Sequence, residues 1–189
     1  MSPARLILAS ASPRRRDLLT QAGLTFDVIP ANIDESRHPN EPPAAYVQRL
    51  ALEKAKAIAA LHPSSYVLGA DTTVVLDNEI LNKPTDLADA ARMLRSLANR
   101  SHQVHTGIAV ATSTTSRSHV ETTTVFVSAI PEPELAVYLA TGDSLDKAGA
   151  YGIQGYAARW ITRIEGDFFN VMGLPIAATI RLLRKTQNP

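Results

Sequence analysis

The stretch that decides the fold is LILASASPRRRDLL, residues 6–19. Its first four residues, Leu6 to Ala9, form a short apolar run typical of a buried strand, and Ser10-Ala11-Ser12 ends that run. Ser12 is a good helix N-cap, and Pro13 stands at the first helical position, where proline is favoured. The stretch therefore predicts a strand, a tight polar turn and the start of a helix.

Three arginines follow at a place where cations are unfavourable. Arg14, Arg15 and Arg16 fall in the first helical turn, which already carries partial positive charge and unpaired N–H groups. An anion bound among them would offset this repulsion, and a helix start after a strand is a common place for phosphate. The alternative is a solvated basic turn with Asp17 as the local counter-charge. The residues alone leave both alternatives open.

Length and composition limit the class of protein. The 189 residues are 45% hydrophobic, which allows a large core in one domain, and an elongated domain with two lobes is also compatible. With 19 basic and 18 acidic residues, the balanced charge argues against a general nucleic-acid-binding protein. The absence of cysteine excludes disulfides and thiolate metal sites. Apolar runs are too short for a signal peptide or a membrane helix, so we expect a cytoplasmic protein without membrane partners.

Residues 44–61 have the periodicity of an amphipathic helix. Lys54 interrupts its apolar stripe, which is formed by Val47, Leu50, Ala51, Ile58 and Leu61. A lysine is rarely buried without a partner, so Lys54 either extends to solvent at the helix edge or reaches a polar site. Arg49, Glu53 and Lys56 lie off the stripe, where we expect solvent-facing charges.

The strongest predicted strand is YVLGADTTVVL, residues 66–76, and it contains one carboxylate. A buried Asp71 would have to be paired, bind a metal or stay protonated, because burying a lone carboxylate is expensive. Gly69 would allow a backbone or a ligand to come close. A bulge at the surface is the alternative, but the strand pattern favours a functional role for Asp71.

The rest of the chain alternates between short strands, helices and loops, which is typical of an α/β fold. His102 and His105 are three residues apart in a strand, so they point to opposite faces and are expected to be structural or edge residues. A glycine-rich loop, residues 144–155, could fold over a ligand. The predicted elements are strand 26–29, loop 32–43, helix 86–97, a hairpin of strands 104–112 and 120–130, helix 132–141, strand 156–165 and helix 174–184.

Several constrained polar residues indicate phosphate chemistry. The cations are Arg14, Arg15, Lys54 and Lys83, and the carboxylates are Glu35 and Asp71. Cations bind phosphate oxygens, and carboxylates can hold a divalent metal or orient a water molecule. Lys83 stands before a proline, and taken alone such a lysine is usually just a solvated residue. The absence of a GxxxxGK[ST] motif excludes a P-loop NTPase.

Six motifs in order resemble those of the Maf family of nucleotide pyrophosphatases, and they cover essentially the whole chain. They are Ser10-x-Ser12-Pro13-Arg14-Arg15, Gly69-Ala70-Asp71-Thr72, Lys83-Pro84, Ser101-His102-x-Val104-x-Thr106-Gly107, the segment DKAGAYGIQG at 146–155, and Gly173-Leu174-Pro175. Each motif is weak alone, but six in this order are highly specific.

The resemblance implies one domain over residues 1–189, with an α/β fold related to inosine-triphosphate pyrophosphatase. The expected fold is a mixed twisted sheet flanked by helices, with two lobes around a central nucleotide cleft. It implies hydrolysis of a nucleoside triphosphate to the monophosphate and pyrophosphate with a divalent cation, Mg²⁺ or Mn²⁺. The implied roles are Asp71 as the base that activates water, Glu35 and Asp71 as metal ligands, and Ser10, Ser12, Arg15, Lys54 and Lys83 as the phosphate-binding residues.

Within the family, the segment Tyr151-Gly152-Ile153-Gln154-Gly155 resembles the branch that acts on dTTP and UTP. The resemblance implies that Arg14, Thr72 and Gln154 set specificity. A glutamine amide offers a donor and an acceptor, which match the O4 and N3–H groups of uracil and thymine. Two alternatives remain: the same chemistry on another base, such as 7-methyl-GTP or a modified pyrimidine nucleotide, or a nucleotide-binding regulator of septum formation. The family also implies a possible homodimer.

Overall fold

The structure is a computed structural model that describes residues 5–187. Its strands are β1 (Leu6–Leu8), β2 (Asp27–Val28), β3 (Tyr66–Leu76), β4 (Glu79–Leu81), β5 (Ser101–Ala111), β6 (Ser116–Val127) and β7 (Ile161–Glu165). Its helices are α1 (Pro13–Gln21), α2 (Pro43–Leu61), α3 (Leu87–Leu97), α4 (Glu132–Ala140), α5 (Phe168–Val171) and α6 (Ile176–Gln187). Two short 3₁₀ helices are formed by Ala148–Ala150 and Tyr156–Trp160.

The seven strands form one mixed sheet with the order β2-β1-β3-β5-β6-β7, and β4 pairs with β3. β1 is parallel to β2 and β3, whereas β4 is antiparallel to β3 and β7 is antiparallel to β6. Parallel neighbours need long crossover connections, and α1 and α2 lie in the connections that link β1, β2 and β3. The predicted mixed α/β architecture is therefore confirmed.

Contacts divide the described residues into two compact units. Unit 1 contains the residues up to Asp71, Thr106–Glu121 and the residues from Gly173 onward. Unit 2 contains Thr72–His105 and Thr122–Met172. The boundary in the third strand falls between Asp71 and Thr72, so one continuous strand contributes residues to both units. The predicted cleft and the assignment of residues 1–189 to one domain stay predictions.

In unit 1, glycines allow α2 to pack closely on two strands. A Cβ atom at Gly69 of β3 would overlap the carbonyl oxygen of Ala51 and lie 2.8 Å from the backbone nitrogen of Ala55. A Cβ atom at Gly107 of β5 would overlap the carbonyl oxygen of Val47 in the same way. The expected close approach at Gly69 is therefore that of a helix backbone.

In the core of unit 2, the first half of the predicted strand 156–165 was wrong. Residues 156–160, expected as part of strand 156–165, form a 3₁₀ helix, and only Ile161–Glu165 is extended. Four residues span about 13 Å in a strand but about 8 Å in a 3₁₀ helix. The shorter rise brings the rings of Tyr156 and Trp160 to within 5.7 Å of each other, and both contact Tyr138. Trp160 is buried in this core.

The hairpin of β5 and β6 is present but shifted toward the start of the chain. β5 begins at Ser101 and β6 at Ser116, so the turn between them is shorter than the connection between the predicted strands 104–112 and 120–130. Thr112 closes this turn, because its hydroxyl accepts hydrogen bonds from the backbone N–H groups of Thr114 and Thr115. Because the threonine hydroxyl binds backbone N–H groups of the turn, the turn can be short and the strands can extend further.

No helix within residues 5–187 is long and apolar enough to cross a membrane. The cytoplasmic location stays a prediction.

Candidate functional site

The turn after β1 has the predicted form. Ser12 caps α1, with its side chain accepting a hydrogen bond from the backbone N–H of Arg15 at 3.5 Å, and Pro13 begins the helix. The Arg15 side chain folds back across the turn. Its Nη1 donates to Ser10 Oγ at 3.0 Å, and its Nε donates to the Gly173 carbonyl at 2.8 Å. Arg15 is thus held in one position beside both predicted serines.

The three arginines differ in environment. Burial lowers the pKa of Arg15, and the negative charges of Asp71 and Glu35 oppose this shift. Arg14 is half-buried, and its charge adds to the lowering of the Arg15 pKa. Arg16 is exposed and lies 3.6 Å from Asp17, so it is a solvated surface charge. Arg15 therefore lies near enough to both carboxylates that the sequence singled out for their charges to act on it.

Glu35, Lys54 and Asp71 form a carboxylate–lysine cluster in unit 1. Lys54 Nζ is 2.8 Å from Glu35 Oε1 and 2.7 Å from Asp71 Oδ1. Lys54 is only 7% exposed, and 13% of the Asp71 side chain is exposed, whereas the Glu35 side chain is 55% exposed. Lys54 therefore reaches a polar site and does not extend to solvent, and Asp71 is a paired carboxylate within a strand.

Local packing explains why these three side chains meet. Lys54 lies on the buried side of α2, in the apolar stripe that the sequence predicted. Gly69, two residues before Asp71, lets β3 come up against the backbone of α2 at Ala51 and Ala55. Lysine and carboxylate can then pair at short range, which removes the large penalty for burying either charge alone.

The donor set fits a divalent metal only in part. Carboxylate oxygens suit Mg²⁺, which is usually bound by one or two carboxylates together with substrate phosphates. Glu35 and Asp71 supply two carboxylates, and both are paired with the Lys54 ammonium. Within the described part of the chain, no three His, Cys, Asp or Glu side chains form a group that could hold a metal. These two residues would therefore hold a metal together with phosphate oxygens and water.

The other predicted site residues belong to unit 2. Thr72 follows Asp71 in β3 and is partly exposed. Lys83 is exposed after β4, and the proline that follows it is buried. Gln154 is exposed in the loop between the two 3₁₀ helices. The structure thus groups Ser10, Ser12, Arg14, Arg15, Glu35, Lys54 and Asp71 in unit 1 and Thr72, Lys83 and Gln154 in unit 2, and the roles of all ten stay predictions.

The glycine-rich loop is held by its own side chains. Lys147 Nζ bonds to Asp143 Oδ1 and Asp146 Oδ1, both at 2.7 Å. Tyr151, which we expected in a loop able to cover a ligand, is instead buried, and its hydroxyl lies 2.7 Å from His102 Nε2. Gly149 has a φ of 67°, a conformation that glycine adopts without strain.

Both histidines are structural, as expected. His102 is 3% exposed, and burial lowers its pKa to about 4. His105 Nδ1 lies 2.8 Å from the hydroxyl of Thr122, and burial lowers its pKa as well.

The buried His102 predicts acid destabilisation. Its pKa is lower in the folded state than its ordinary value of 6.5, so the unfolded state takes up a proton first as the pH falls. The contribution of neutral His102 to the free energy of unfolding is complete above about pH 6.5 and is lost progressively down to about pH 4. We expect the free energy of unfolding to fall by about 2 kcal/mol from this residue between about pH 7.5 and about pH 5.

Urea unfolding of His102→Gln at both pH values measures this effect. The variant should be less stable at the higher pH but should lose about 2 kcal/mol less on acidification than the unmodified protein. His119→Gln is the matched control, because His119 is partly exposed at the surface. Equal pH dependence in all three proteins would contradict a buried neutral His102.

Sequence reasoning missed one part of the site. Arg49, expected to face solvent, is only 18% exposed in its side chain and lies against Glu41, which is 10% exposed. The loop before α2 covers Arg49, and helix periodicity contains no information about such a loop. The available signal was the presence of Glu41 and Glu53 around Arg49, since Glu53 is at the helical i+4 position.

Comparisons with known proteins agree with these observations. A family model described as "Maf-like protein" matches residues 5–186. The dTTP/UTP pyrophosphatase of Koribacter versatilis is 52% identical over 180 residues, which are 95% of this chain and 93% of the relative. The dTTP/UTP pyrophosphatase of Vibrio cholerae is 47% identical over 186 residues, covering 98% and 100%. A solved HAM1 protein from Coxiella burnetii matches with a TM-score of 0.54 at 14% identity, covering 97% and 100%. The last match concerns the fold alone.

Proposed function

Since the chain belongs to the Maf family, we propose that it is a nucleoside triphosphate pyrophosphatase that hydrolyses dTTP and UTP to the monophosphate and pyrophosphate. The observation that carries this proposal is the carboxylate–lysine cluster next to the helix start with Arg15. Relatives about half identical over nearly the whole chain are named dTTP/UTP pyrophosphatases. Sequence and site chemistry therefore support the same activity.

In the proposed reaction, different residues of unit 1 accept the proton and bind the phosphates. Water attacks the α-phosphorus, and the bond from that phosphorus to the bridging oxygen of the pyrophosphate breaks. Asp71 accepts the proton of the attacking water, as a positioned carboxylate can. Arg15 binds phosphate oxygens from the helix start, beside the hydroxyl groups of Ser10 and Ser12. The Arg15 charge and these hydroxyl donors stabilise the negative charge that develops on the leaving pyrophosphate.

Lys54 has two roles in this proposal. It holds Glu35 and Asp71 at 2.7–2.8 Å, and these contacts use two of its three N–H donors. The third donor is available for a phosphate oxygen. Glu35 and Asp71 would hold a divalent cation, Mg²⁺ or Mn²⁺, which supplies charge neutralisation at the phosphates when bound. The need for the cation is testable by chelation.

A nucleotide-binding regulator without catalysis is less well supported. Two carboxylates close to a phosphate site would weaken simple anion binding, because like charges repel. A catalytic site uses such carboxylates to bind a metal and to accept a proton. Catalysis therefore explains Glu35 and Asp71 better than binding alone. A homodimer stays a prediction from the family.

A panel of nucleoside triphosphates tests the proposed function. dTTP, UTP, dGTP, 7-methyl-GTP and modified pyrimidine nucleotides would each be incubated with Mg²⁺ or Mn²⁺, and monophosphate and pyrophosphate would be quantified. We expect kcat/KM for dTTP and UTP to exceed that for the purine nucleotides by about 10–100-fold, as when a site reads polar groups of the base. Tight binding without hydrolysis would instead favour the regulator, and a purine preference would favour another base.

Gln154 gives a prediction about base preference. If its amide pairs with the uracil or thymine edge, Gln154→Ala leaves polar groups of the base without partners, which costs about 1–3 kcal/mol. The dTTP preference over dGTP should then fall about 10-fold or more, while kcat on dTTP changes less. Gln103→Ala is a matched control, since Gln103 is another exposed glutamine of unit 2. An unchanged dTTP-to-dGTP ratio would contradict this role.

A further inference from the structure

The loop that carries Glu35 is attached to α2 by side chains outside the carboxylate–lysine cluster. Residues 32–42 contain no helix or strand, and the Glu35 side chain is more than half exposed. The hydroxyl of Tyr46 donates to the Glu35 carbonyl at 2.8 Å. Arg49 Nη2 donates to the Ser36 carbonyl at 3.0 Å. Two neighbouring carbonyls of the loop, one of them that of Glu35 itself, are therefore bonded by one face of the helix.

Arg49 is itself fixed in place by carboxylates. Its Nε lies 2.7 Å from Glu41 Oε1 and its Nη2 lies 2.9 Å from Glu41 Oε2, which is a bidentate pair. Its Nη1 bonds to Glu53 Oε2 at 3.1 Å. The Arg49 guanidinium lowers the pKa of Glu41 to about 2, so this pair is charged throughout the neutral range. Arg49 thus links Glu41, at the end of the loop, to Ser36, in the middle of the loop.

The Glu35 carboxylate depends on this attachment. Its ion pair with Lys54 is the side-chain contact that draws it into the cluster, and a pair with a largely exposed partner is weak. A chain segment without regular structure loses much conformational entropy when it is held in one position. Tyr46 bonds the backbone carbonyl of Glu35 and Arg49 bonds that of the next residue, Ser36, so both are suited to set where the Glu35 carboxylate lies.

We propose that Arg49 and Tyr46 are positioning residues that hold the Glu35 loop so that Glu35 can bind the divalent cation of the reaction. This inference rests on the proposed function. Neither residue touches the reacting groups; both act through the backbone at Glu35 and Ser36. The competing explanation is that the network only adds stability to unit 1.

Two variants separate these explanations. Tyr46→Phe removes one hydroxyl and keeps the ring, so it is the mildest loss of a loop contact. Arg49→Lys keeps the charge but loses the bidentate geometry. The matched control is Arg95→Lys, because Arg95 forms a bidentate pair with Glu132 at 2.8 Å on the surface of unit 2. Urea midpoints of all proteins would be measured first, so that loss of folding is recognised.

The decisive readout is Mn²⁺ affinity, measured by electron paramagnetic resonance with a non-hydrolysable dTTP analogue present. We expect the Mn²⁺ dissociation constant to rise about 10-fold in Tyr46→Phe and Arg49→Lys, as for other residues that orient metal ligands, and to stay unchanged in Arg95→Lys. The KM for dTTP at saturating Mn²⁺ should change less than twofold. In the Glu35→Gln background, Arg49→Lys should add no further loss, because both changes remove the same ligand.

Unchanged Mn²⁺ affinity in both single variants would overturn the inference, as would an equal additional loss in the Glu35→Gln background. Absence of hydrolysis by the unmodified protein across the nucleotide panel would overturn the proposed function instead. The Mn²⁺ measurements do not require turnover, so failure of the inference and failure of the proposed function are distinguishable.

Discussion

Replacing Asp71 by asparagine is expected to lower kcat by about 10²–10⁴-fold, the range that a positioned base contributes. Asparagine has the same shape, and its amide oxygen can still accept a hydrogen bond from Lys54, which now lies 2.7 Å from Asp71 Oδ1. It cannot accept a proton from water. KM for dTTP should therefore change little, and binding measured by calorimetry with the non-hydrolysable analogue should persist.

A second aspartate provides the control for this experiment. Asp77 lies in the turn between β3 and β4 and pairs with Arg100 at 2.7 Å on the surface. Asp77→Asn removes the same charge from a place without a proposed chemical role, so its kcat should stay within about twofold, as surface changes usually have small effects. An Asp71→Asn protein that keeps more than a tenth of its kcat would contradict the assignment of the base.

The half of the site on α2 and β3 could be predicted from the sequence because both elements have strong patterns. Lys54 stood out as a charge within an apolar stripe, and Asp71 as a carboxylate within an apolar strand. Each position is unfavourable alone, and the structure resolves both by pairing them. Lys54 and Asp71 each depart from the apolar pattern around them, and both departures indicated the same site. The sequence did not reveal that the two residues pair with each other.

Features that depend on distant contacts could not be predicted. Periodicity assigns Arg49 to the solvent side of α2, yet a loop without a pattern of its own covers that side. The same limit applies to Tyr156–Trp160, which adopts a 3₁₀ helix although both its aromatic ends favour a strand, because the rings pack on Tyr138. Packing partners far along the chain decide both cases.

The predicted roles of Thr72, Lys83 and Gln154 have a different basis. The one local signal was the constrained position of Lys83 before a proline, and the structure places Lys83 and Gln154 at exposed positions. The roles of Thr72 and Gln154 were predicted from the family motifs alone. Substitutions are therefore the only test of these three residues, whereas Arg15, Glu35, Lys54 and Asp71 also have a geometric argument.

Two glycines beneath α2 give the largest expected effect on stability. Gly69→Ala and Gly107→Ala each place a methyl group where it overlaps a helix carbonyl, that of Ala51 or that of Val47. Backbone atoms cannot move aside as a flexible side chain can, so the whole helix must shift. We expect each change to lower the free energy of unfolding by about 3 kcal/mol or more, at the upper end of overpacking effects. Urea unfolding followed by circular dichroism measures this loss.

Gly155→Ala is the control for steric overlap. A Cβ atom there would lie 3.4 Å from the nearest atom, Asp143 Oδ2, and the backbone φ of −97° suits any residue, so the cost should stay below about 1 kcal/mol. A Gly69→Ala protein as stable as Gly155→Ala would contradict the close contact of α2 with β3. Because that contact also brings Lys54 to Asp71, a folded Gly69→Ala protein should lose activity together with stability.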